Sequence, residues 1–492
     1  MATKSHFSPI DRVAVIVIIL LGIFVTFLVT ADNVCGTDCW FKVSPSVQQF
    51  NWEEREINAN DRAFILTFSR PMDRASVEEN LEIEPDLSGK ISWSGRRMAY
   101  TLDEPAPYGR EYQIKIEGAK ERLGSEIRPF DEIVRTRDRA FAYLGVEGDE
   151  KGRLIVYNLT QQEKSILTPP DLVVHEFESY PERDRILFTA TDQETWEEGK
   201  IDQQLYTVTT GLNQNQSDKE VKRILDNQDY RLLDFDLSPN GEKIVVRRAE
   251  KENLGDVSLW LLENNQAPKM LEETTGGQFM IPPDSETLAI AQDQGVGLIP
   301  LTDDTEPSNF LPRYGQVISF SPDGKAAAMV NFNTQDAEKQ YIRSLYFVNN
   351  RGVEKNLLDT DGSILSCEFS PRGTHLYCLL TELMEGEDYQ EQPYLVSIDL
   401  ETEDVTPMMT LPEYQDIEMS LSPDGLALLF DQIITVNNPE NRSSTLRSDS
   451  GETIIGSSLW LLIPGSPLTA SSHDHSQLEE LPIAGLGPKW LP

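Results

Sequence analysis

Few side chains in this sequence stand at spacings that catalysis or metal binding requires. His473-Asp474-His475 offers two imidazoles and a carboxylate, but the Thr/Ser-rich loop around it supplies no third ligand nearby. Asp359-Thr360-Asp361-Gly362 begins like a calcium loop, yet the later ligands and the terminal Glu are missing, so turn chemistry explains it better. The sequence has no Gly-x-Ser-x-Gly elbow, phosphate-binding loop or dinucleotide fingerprint. We therefore expect no catalytic residue, no metal ligand and no cofactor.

Two long acidic loops are the candidate partner-binding residues. The first loop holds Asp192, Glu194, Glu197, Glu198 and Asp202, and the second holds Glu382, Glu385, Glu387, Asp388 and Glu391. Long loops on one face of a rigid scaffold are a common place for binding. The alternative is that they are surface insertions whose charges are simply solvated.

The charge balance limits the classes of partner that the chain can bind. The formal net charge is −39, with 82 acidic and 43 basic residues. Phosphate backbones repel such a chain, so we expect no nucleic-acid partner. The charge predicts solubility or, alternatively, an acidic surface that attracts cations or a basic partner.

Four cysteines form two pairs that are close in sequence. Cys35 and Cys39 lie in a CxxxC segment, and Cys367 and Cys378 flank a predicted β-turn. Both pairs are disulfide candidates if the chain is exported. The alternative for Cys367 and Cys378 is a pair of small buried hydrophobes.

An apolar run near the start predicts a membrane anchor. Residues 13–31 carry no charge and would span about 28 Å as a helix, close to the thickness of a bilayer core. Lys4 and Arg12 precede the run, which predicts a cytoplasmic segment at 1–12 and an extracytoplasmic body, either periplasmic or at the cell surface. A linker at 32–40, which holds the first cysteine pair, would join the anchor to this body. The alternative is a cleaved signal peptide, since Val29-Thr30-Ala31 is an acceptable cleavage site.

Residues 41–136 contain short alternating stretches that predict a small all-β domain. The segments ILTFSRPMDRASVEENLEIEP (65–85), ISWSGRRMAYTL (91–102) and PYGREYQIKIEG (107–118) follow one another there. Together they resemble the bacterial Ig-like domain of surface and S-layer-associated proteins. The resemblance implies a β-sandwich that serves as a spacer or adhesion module and carries no chemistry.

From residue 139 to 492 the sequence repeats, with apolar strands around a turn of the form Ser-Pro-x-Gly. The clear turns are Ser238-Pro239-Asn240-Gly241, Ser321-Pro322-Asp323-Gly324, Ser370-Pro371-Arg372-Gly373 and Ser422-Pro423-Asp424-Gly425. Degenerate copies lie at 180–184 and 282–285. A unit of roughly four strands every 40–60 residues predicts a β-propeller blade.

The turn FSPDGK (320–325) and the later LYxV strands resemble the TolB-type, WD40-like propeller repeat, which occurs in periplasmic scaffold proteins and in prolyl oligopeptidases. The C-terminal Gly487-Pro488-Lys489-Trp490-Leu491-Pro492 looks like the opening strand of a repeat, whereas residues 139–144 look like a second strand. We therefore predict an all-β chain with a transmembrane helix, an Ig-like β-sandwich, and a seven-bladed propeller closed by pairing the C-terminal strand with the first blade. Six or eight blades are the alternatives, because two of the repeat units are degenerate.

These features favour a non-enzymatic, membrane-anchored scaffold that binds a protein partner in the cell envelope, with the acidic loops as the interaction face. The alternative is an envelope hydrolase or carbohydrate-active enzyme that uses carboxylates at the propeller channel. That alternative requires inward-facing acidic residues at the channel, and an axis filled with apolar side chains would exclude it. A small-molecule ligand also fits the sequence.

Overall fold

The computed structural model describes residues 16–26, 44–213, 219–263, 266–273, 277–293, 295–302, 310–384, 386, 390–411, 416–436, 446, 452–464 and 477–492. Cys35, Cys39, Glu385, Glu387, Asp388 and the cluster at 473–475 lie outside these residues.

The first described element is a helix, α1, at residues 16–26. Among the described residues no helix is both long enough and apolar enough to cross a membrane. The prediction of a transmembrane anchor at 13–31, and with it of a single-pass membrane localisation, is therefore wrong for the described residues.

Two compact units divide the described chain. The first holds the residues before Arg55 together with Ala63–Thr101 and Tyr112–Val134. The second holds Arg55–Arg62, Leu102–Glu111 and Arg135–Pro492. We call Arg55–Arg62 and Leu102–Glu111 the strap segments, because both cluster with the later part of the chain.

Strands between residues 44 and 136 form two four-stranded sheets, in the orders β1-β3-β6-β5 and β2-β8-β7-β4. The elements are β1 (Val47–Phe50), β2 (Glu56–Ile57), β3 (Ala63–Phe68), α2 (Arg74–Glu79), β4 (Leu81–Glu84), β5 (Gly89–Ser94), β6 (Arg97–Leu102), β7 (Glu111–Ile116) and β8 (Phe130–Thr136). In β3 every second side chain is buried, which is the pattern of a strand with one face on a core. Whether these sheets form an Ig-like domain stays a prediction.

From residue 140 onward the described strands form seven four-stranded antiparallel sheets, which we number as blades in chain order. Blade 1 is β9 (Ala140–Gly145), β10 (Leu154–Asn158) and β11 (Glu163–Ile166), with β36 (Gly485–Trp490) at its inner edge. A short 3₁₀ turn, Gly148–Glu150, separates β9 from β10. The C-terminal strand β36 pairs antiparallel with β9.

The remaining blades each use four consecutive strands, with the first strand innermost. Blade 2 is β12 (Leu172–Ser179), β13 (Arg185–Asp192), β14 (Gln204–Thr209) and β15 (Val221–Leu225), with α3 (Gln193–Glu197) between β13 and β14. Blade 3 is β16 (Tyr230–Leu237), β17 (Lys243–Glu250), β18 (Val257–Glu263) and β19 (Lys269–Glu273). Blade 4 is β20 (Phe279–Met280), β21 (Thr287–Gln292), β22 (Gly295–Pro300) and β23 (Phe310–Pro312).

Blade 5 is β24 (Gln316–Phe320), β25 (Ala326–Asn331), β26 (Arg343–Asn349) and β27 (Glu354–Thr360). Blade 6 is β28 (Ile364–Phe369), β29 (His375–Leu383), β30 (Glu391–Asp399) and β31 (Val405–Thr410). Blade 7 is β32 (Met419–Leu421), β33 (Leu428–Val436), β34 (Thr453–Ile463) and β35 (Gln477–Leu481).

The predicted fold class needs correction on two points. Its transmembrane helix is not found among the described residues, and the strands form separate four-stranded sheets of which none closes on itself. Neighbouring blades are held together by side-chain packing instead: one apolar cluster joins blades 1 and 2 through Val156, Val174 and Phe188, and another joins blades 7 and 1 through Phe141 and Leu459. Packing across a gap between twisted sheets buries apolar area without a continuous hydrogen-bond ladder.

The Ser-Pro-x-Gly turns connect the first and second strands, so in antiparallel blades they all lie at one end, which we call the turn face. Connections between second and third strands lie at the opposite end, the loop face. In each clear turn the serine hydroxyl accepts backbone N–H bonds; Ser422 Oγ, for example, is 3.0 Å from the nitrogen of Ala427. The turn glycine has positive φ, 73° at Gly425, which favours a residue without Cβ.

A central channel lined by carboxylates

One repeat position faces the axis around which the inner strands lie. The residue three before each turn proline is Glu178, Asp236, Met280, Ser319, Glu368, Ser420 and Lys489 in blades 2 to 7 and then blade 1. Glu178, Glu368 and Glu418 all act electrostatically on Lys489, although they come from blades 2, 6 and 7. Side chains from several blades can interact in this way only if they converge on one space, the central channel.

The channel residues tie each inner strand to the next. Glu178 Oε2 accepts a bond from the nitrogen of Leu237 at 2.8 Å, and Glu368 Oε2 accepts one from Leu421 at 3.1 Å. Asp236 accepts a bond from the nitrogen of Ile281 in the same way. Ser420 Oγ accepts a bond from the nitrogen of Trp490 at 3.1 Å, which links blade 7 to blade 1.

A second set of carboxylates lies two residues earlier on the same strand faces. It comprises Glu176, Asp234 and Glu418. Glu176 and Glu418 are exposed to the channel space, while Asp234 pairs with Arg247 at 2.9 Å. Asp431 lies behind this set, 2% exposed, and accepts bonds from the nitrogens of Glu418 and Gly487 at 2.8 Å each.

Burial raises the pKa of several channel carboxyl groups, among them Glu176, Glu178, Asp236 and Glu368. Protein surrounds Glu176 although its surface opens to the channel, and this desolvation raises its pKa to about 7. Desolvation likewise raises the pKa of Glu368 to about 7, against the lowering effect of its bond from Leu421. The pKa values of Glu178 and Asp236 are raised too, chiefly by desolvation. Repulsion from Asp236 adds to the rise at Glu178, and repulsion from Asp234 adds to the rise at Asp236. The channel thus holds carboxyl groups that titrate near neutral pH.

Lys489 is the cation among them. Its Nζ donates to the carbonyl of Phe177 at 3.0 Å and lies 5.4 Å from the centre of that ring. Burial lowers the pKa of Lys489, but Glu418, Glu178 and the other carboxylates outweigh it, so the pKa is raised. A lysine in this state is protonated and is a counter-ion, not a nucleophile.

At the turn face the channel opens into a cavity of about 270 Å³ within the second unit. Its wall includes a ring of prolines from five blades, namely Pro181, Pro322, Pro371, Pro423 and Pro492. Strap residues Asn58, Asn60, Arg62 and Tyr108 line it as well, and so does Glu368. The first strap segment therefore crosses the axis above the channel.

The two acidic loops predicted to bind a partner belong to blades 2 and 6, which are not adjacent, and the structure does not join them into one site. In the first loop Asp192, Glu194, Glu197 and Glu198 are exposed, while Asp202 is half-buried and lies 3.2 Å from Lys251 of the next blade. In the second loop Glu382 is exposed, but Glu391 is buried and accepts a bond from Thr381 Oγ1. Glu391 is thus a structural residue in this arrangement.

Cys367 and Cys378 face each other on β28 and β29 and are joined by a disulfide. Among the described residues no group of three or more His, Cys, Asp or Glu side chains is placed to hold a metal ion. The first aspartate of the calcium-like segment, Asp359, pairs instead with Lys339 at 2.9 Å.

Sequence reasoning missed the channel residues, although the signal was present. The turn prolines align the repeats, and counting three residues back gives Glu, Asp, Glu and Lys at one structural position. A charge recurring at a fixed place on an otherwise apolar inner strand indicates a shared, polar interior.

A β-propeller with an acidic central channel is the class of protein that these features define. No protein-family model matches the chain, and no curated protein sequence matches it. Similar solved structures include TolB from Acinetobacter baumannii, 10% identical over 84% of this chain and 83% of that chain, with a TM-score of 0.39. A prolyl endopeptidase structure is 8% identical over 81% of this chain and 51% of that chain, with a TM-score of 0.45.

Hydrazine synthase from Kuenenia stuttgartiensis is 15% identical over 52% of this chain and 72% of that chain, with a TM-score of 0.36. TolB-like propellers are thus among the structural neighbours of this chain. At such identities the likeness concerns the fold and transfers no activity.

Proposed function

We propose that this chain is a non-enzymatic scaffold that binds a protein partner through a basic segment of that partner, which the channel and the loop face receive. The observation that carries the proposal is the excess of carboxylates over cations in the channel. Asp234 has Arg247, but among the described residues Glu176, Glu178, Asp236, Glu368 and Glu418 share only Lys489 as a counter-ion. Carboxylates deprived of water gain from a cation that enters among them.

The side of entry follows from the strap. The first strap segment crosses the axis at the turn face, where Arg62 donates a hydrogen bond to the carbonyl of Pro371. The loop face carries the exposed acidic group Glu194, Glu197 and Glu198, which would attract a basic segment before it reaches the channel. We therefore place the partner on the loop face.

Calorimetric titration of the full chain with hexalysine and hexaglutamate peptides tests this proposal. Hexalysine should bind and hexaglutamate should not. The double substitution Glu176→Gln and Glu418→Gln removes two channel charges and should weaken hexalysine binding by about tenfold or more, the size expected for lost charge-assisted contacts.

Glu401→Gln is the matched control, since Glu401 is exposed in the connection between β30 and β31 at the turn face. It should bind hexalysine like the wild type. Equal affinity of the wild type and the channel variant for hexalysine would contradict a channel site.

A second candidate function is hydrolysis by channel carboxylates, and one observation favours it. Carboxyl groups with a pKa of about 7, as at Glu176 and Glu368, suit general acid–base catalysis at neutral pH. Turnover of a polysaccharide or peptide by the wild type, lost in Glu176→Gln, would replace the binding proposal with an enzymatic one.

The domain division also stands as a proposal. We propose an Ig-like β-sandwich at 41–136 and a propeller at 139–492, supported by the two four-stranded sheets that precede the blades. Calorimetric unfolding of the full chain should then show two separable transitions, one for each domain. A single cooperative transition would contradict this division.

A further inference from the structure

The cavity at the turn face has fixed walls. Tyr108 anchors the second strap segment, because its backbone nitrogen donates to Asp424 Oδ2 at 3.0 Å. The hydroxyl of Tyr108 accepts a bond from the nitrogen of Ala59 at 3.0 Å and so joins the two strap segments. Arg183, 2% exposed, pairs with Glu56 at 2.7 Å. A pocket held by this many buried polar contacts is largely formed before any ligand arrives.

The lining offers two opposite charges with unused bonding capacity. Glu368 Oε2 accepts the Leu421 bond, while Oε1 has no hydrogen-bond partner within the described part of the chain. Arg62 donates through Nη2 to the carbonyl of Pro371, and its other nitrogens donate to no acceptor among the described residues. Arg137, by contrast, is committed to the carbonyls of Pro181 and Pro492.

The remaining wall is apolar or neutral. The proline ring supplies rigid apolar surface, and Asn58 and Asn60 supply amides at the strap side. A volume of about 270 Å³ equals roughly nine waters at about 30 Å³ each. It lies just below the range of pockets for drug-sized ligands, so it fits an occupant as small as one or two amino-acid residues.

We propose that this cavity binds a small zwitterion, a free α-amino acid or a dipeptide, with its ammonium group on Glu368 and its carboxylate on Arg62. Each ionic end meets a side chain of opposite charge, and the apolar part of the ligand lies against the proline ring. Guanidinium and carboxylate groups form the stronger, charge-assisted class of hydrogen bond. Glu368 belongs to both the channel and the cavity. Glu176 and Glu418, which test the binding of a basic partner, do not line the cavity, and Arg62 is not a channel carboxylate, so the two proposals are tested at different residues.

Calorimetric titration of the full chain with four probes tests the proposal: L-alanine, L-alanyl-L-alanine, N-acetyl-L-alanine and L-alanine amide. One or both zwitterions should bind with a dissociation constant of about 1 mM or tighter. The acetylated probe lacks the ammonium and the amide lacks the carboxylate, so each should bind about tenfold more weakly. Whichever of L-alanine and L-alanyl-L-alanine binds more tightly shows whether the cavity accepts a single amino acid or a dipeptide.

Two variants locate the site. Arg62→Gln, at an exposed side chain, should reduce zwitterion affinity about tenfold and leave hexalysine binding unchanged. Glu368→Gln should do the same to the zwitterion, and it should also abolish the rise in affinity from pH 6 to pH 8 that ionisation of Glu368, whose pKa is about 7, gives the wild type. Glu418→Gln is the control, because it changes the channel but not the cavity.

The outcomes separate the two proposals. Loss of zwitterion binding in Arg62→Gln with hexalysine binding intact supports the cavity site. Failure of the wild type to bind either zwitterion, or equal binding by the wild type and both cavity variants, overturns it. Loss in Glu418→Gln but not in Arg62→Gln would move the ligand into the channel and likewise overturn the cavity site.

Discussion

The residue three before each turn proline controls how one inner strand is held to the next. Where it is Glu or Asp, a carboxylate reaches the backbone nitrogen of the following blade, as Glu368 reaches Leu421. Where it is Ser319, the hydroxyl is buried without a hydrogen-bond partner among the described residues. The same position thus both holds blades together and concentrates charge that must be desolvated.

Deprotonation of the channel carboxyl groups should lower the unfolding free energy as pH rises. Glu176 and Glu368 have folded pKa values of about 7 against an ordinary value of 4.5, so the folded state holds protons that the unfolded state has lost. Stability falls wherever the folded state binds more protons, and the window is therefore about pH 4.5 to 7. Urea unfolding at about pH 5 and pH 8 should give the larger unfolding free energy at pH 5 from these groups.

Glu368→Gln isolates one contribution to this pH dependence. The glutamine oxygen can still accept the Leu421 bond, but it does not titrate, so the slope of unfolding free energy against pH should become flatter. Glu401→Gln, at an exposed turn, should leave the slope unchanged. An identical slope in Glu368→Gln and wild type would contradict the assignment.

The Cys367–Cys378 disulfide closes a short loop between paired strands, with a sequence separation of 11. The chain-entropy cost of such a loop predicts a loss of about 2–3 kcal/mol of unfolding free energy on reduction. Guanidinium unfolding with and without reductant measures the loss. The double variant Cys367→Ala and Cys378→Ala should not respond to reductant; a response would point to the other cysteine pair.

At the scale of elements, the Ser-Pro-x-Gly turns are nearly identical in sequence but not in surroundings. Gly425 and Gly373 have φ of 73° and 68°. A Cβ at Gly425 would lie 2.7 Å from Pro371 Cδ, whereas a Cβ at Gly373 meets Pro322 Cδ only at 3.9 Å. A side chain at Gly425 would therefore meet both an unfavourable backbone conformation and a steric clash, whereas one at Gly373 would meet only the unfavourable backbone conformation.

Alanine at the two positions should therefore have unequal effects. Gly373→Ala should cost about 1–2 kcal/mol of unfolding free energy for its left-handed backbone. Gly425→Ala should cost about 1–3 kcal/mol more, because Pro371 or its turn must shift. Thermal and urea unfolding of the two variants, each against wild type, measure the difference. Equal losses of unfolding free energy in the two variants would mean that the turn containing Pro371 in blade 6 can move aside without cost.

These turns are also why much of the blade pattern could be predicted from sequence. Proline and glycine fix local backbone geometry whatever surrounds them, so four turns were identifiable by type. The degenerate turns were harder, because Arg183 and Ser285 adopt φ of 49° and 57° where glycine stands elsewhere. Only burial and contacts to neighbouring segments, such as Arg183 with Glu56, show why a non-glycine residue is held there.

The candidate sites were less predictable than the elements. Acidic loops are visible in a sequence, but the distance between blades 2 and 6 is not. The cavity is invisible in the same way, since Arg62 and Glu368 are 306 positions apart by their numbers and meet only through the fold. The membrane anchor was predicted from hydropathy, but no helix in the described part of the chain is long and apolar enough to cross a membrane.

For the whole molecule, the net charge of −39 should influence folding and binding in opposite directions. Like charges repel within the compact state, and a salt that screens them should stabilise it. The proposed basic partner is attracted by the same charges, so the same salt should weaken its binding. The effect of salt on stability therefore reports repulsion within the chain, and its effect on affinity reports attraction of the partner.

Raising sodium chloride from about 0.1 M to about 1 M shortens the screening length from about 10 Å to about 3 Å. The urea-unfolding free energy of the full chain should rise over this range, while hexalysine affinity should fall by at least about tenfold. The variant Glu194→Gln, Glu197→Gln and Glu198→Gln removes three exposed loop-face charges and should lessen both responses. If the affinity for hexalysine does not change with salt, the loop-face charges do not attract the partner. If the unfolding free energy falls with salt, the acidic surface is already neutralised by its own ion pairs.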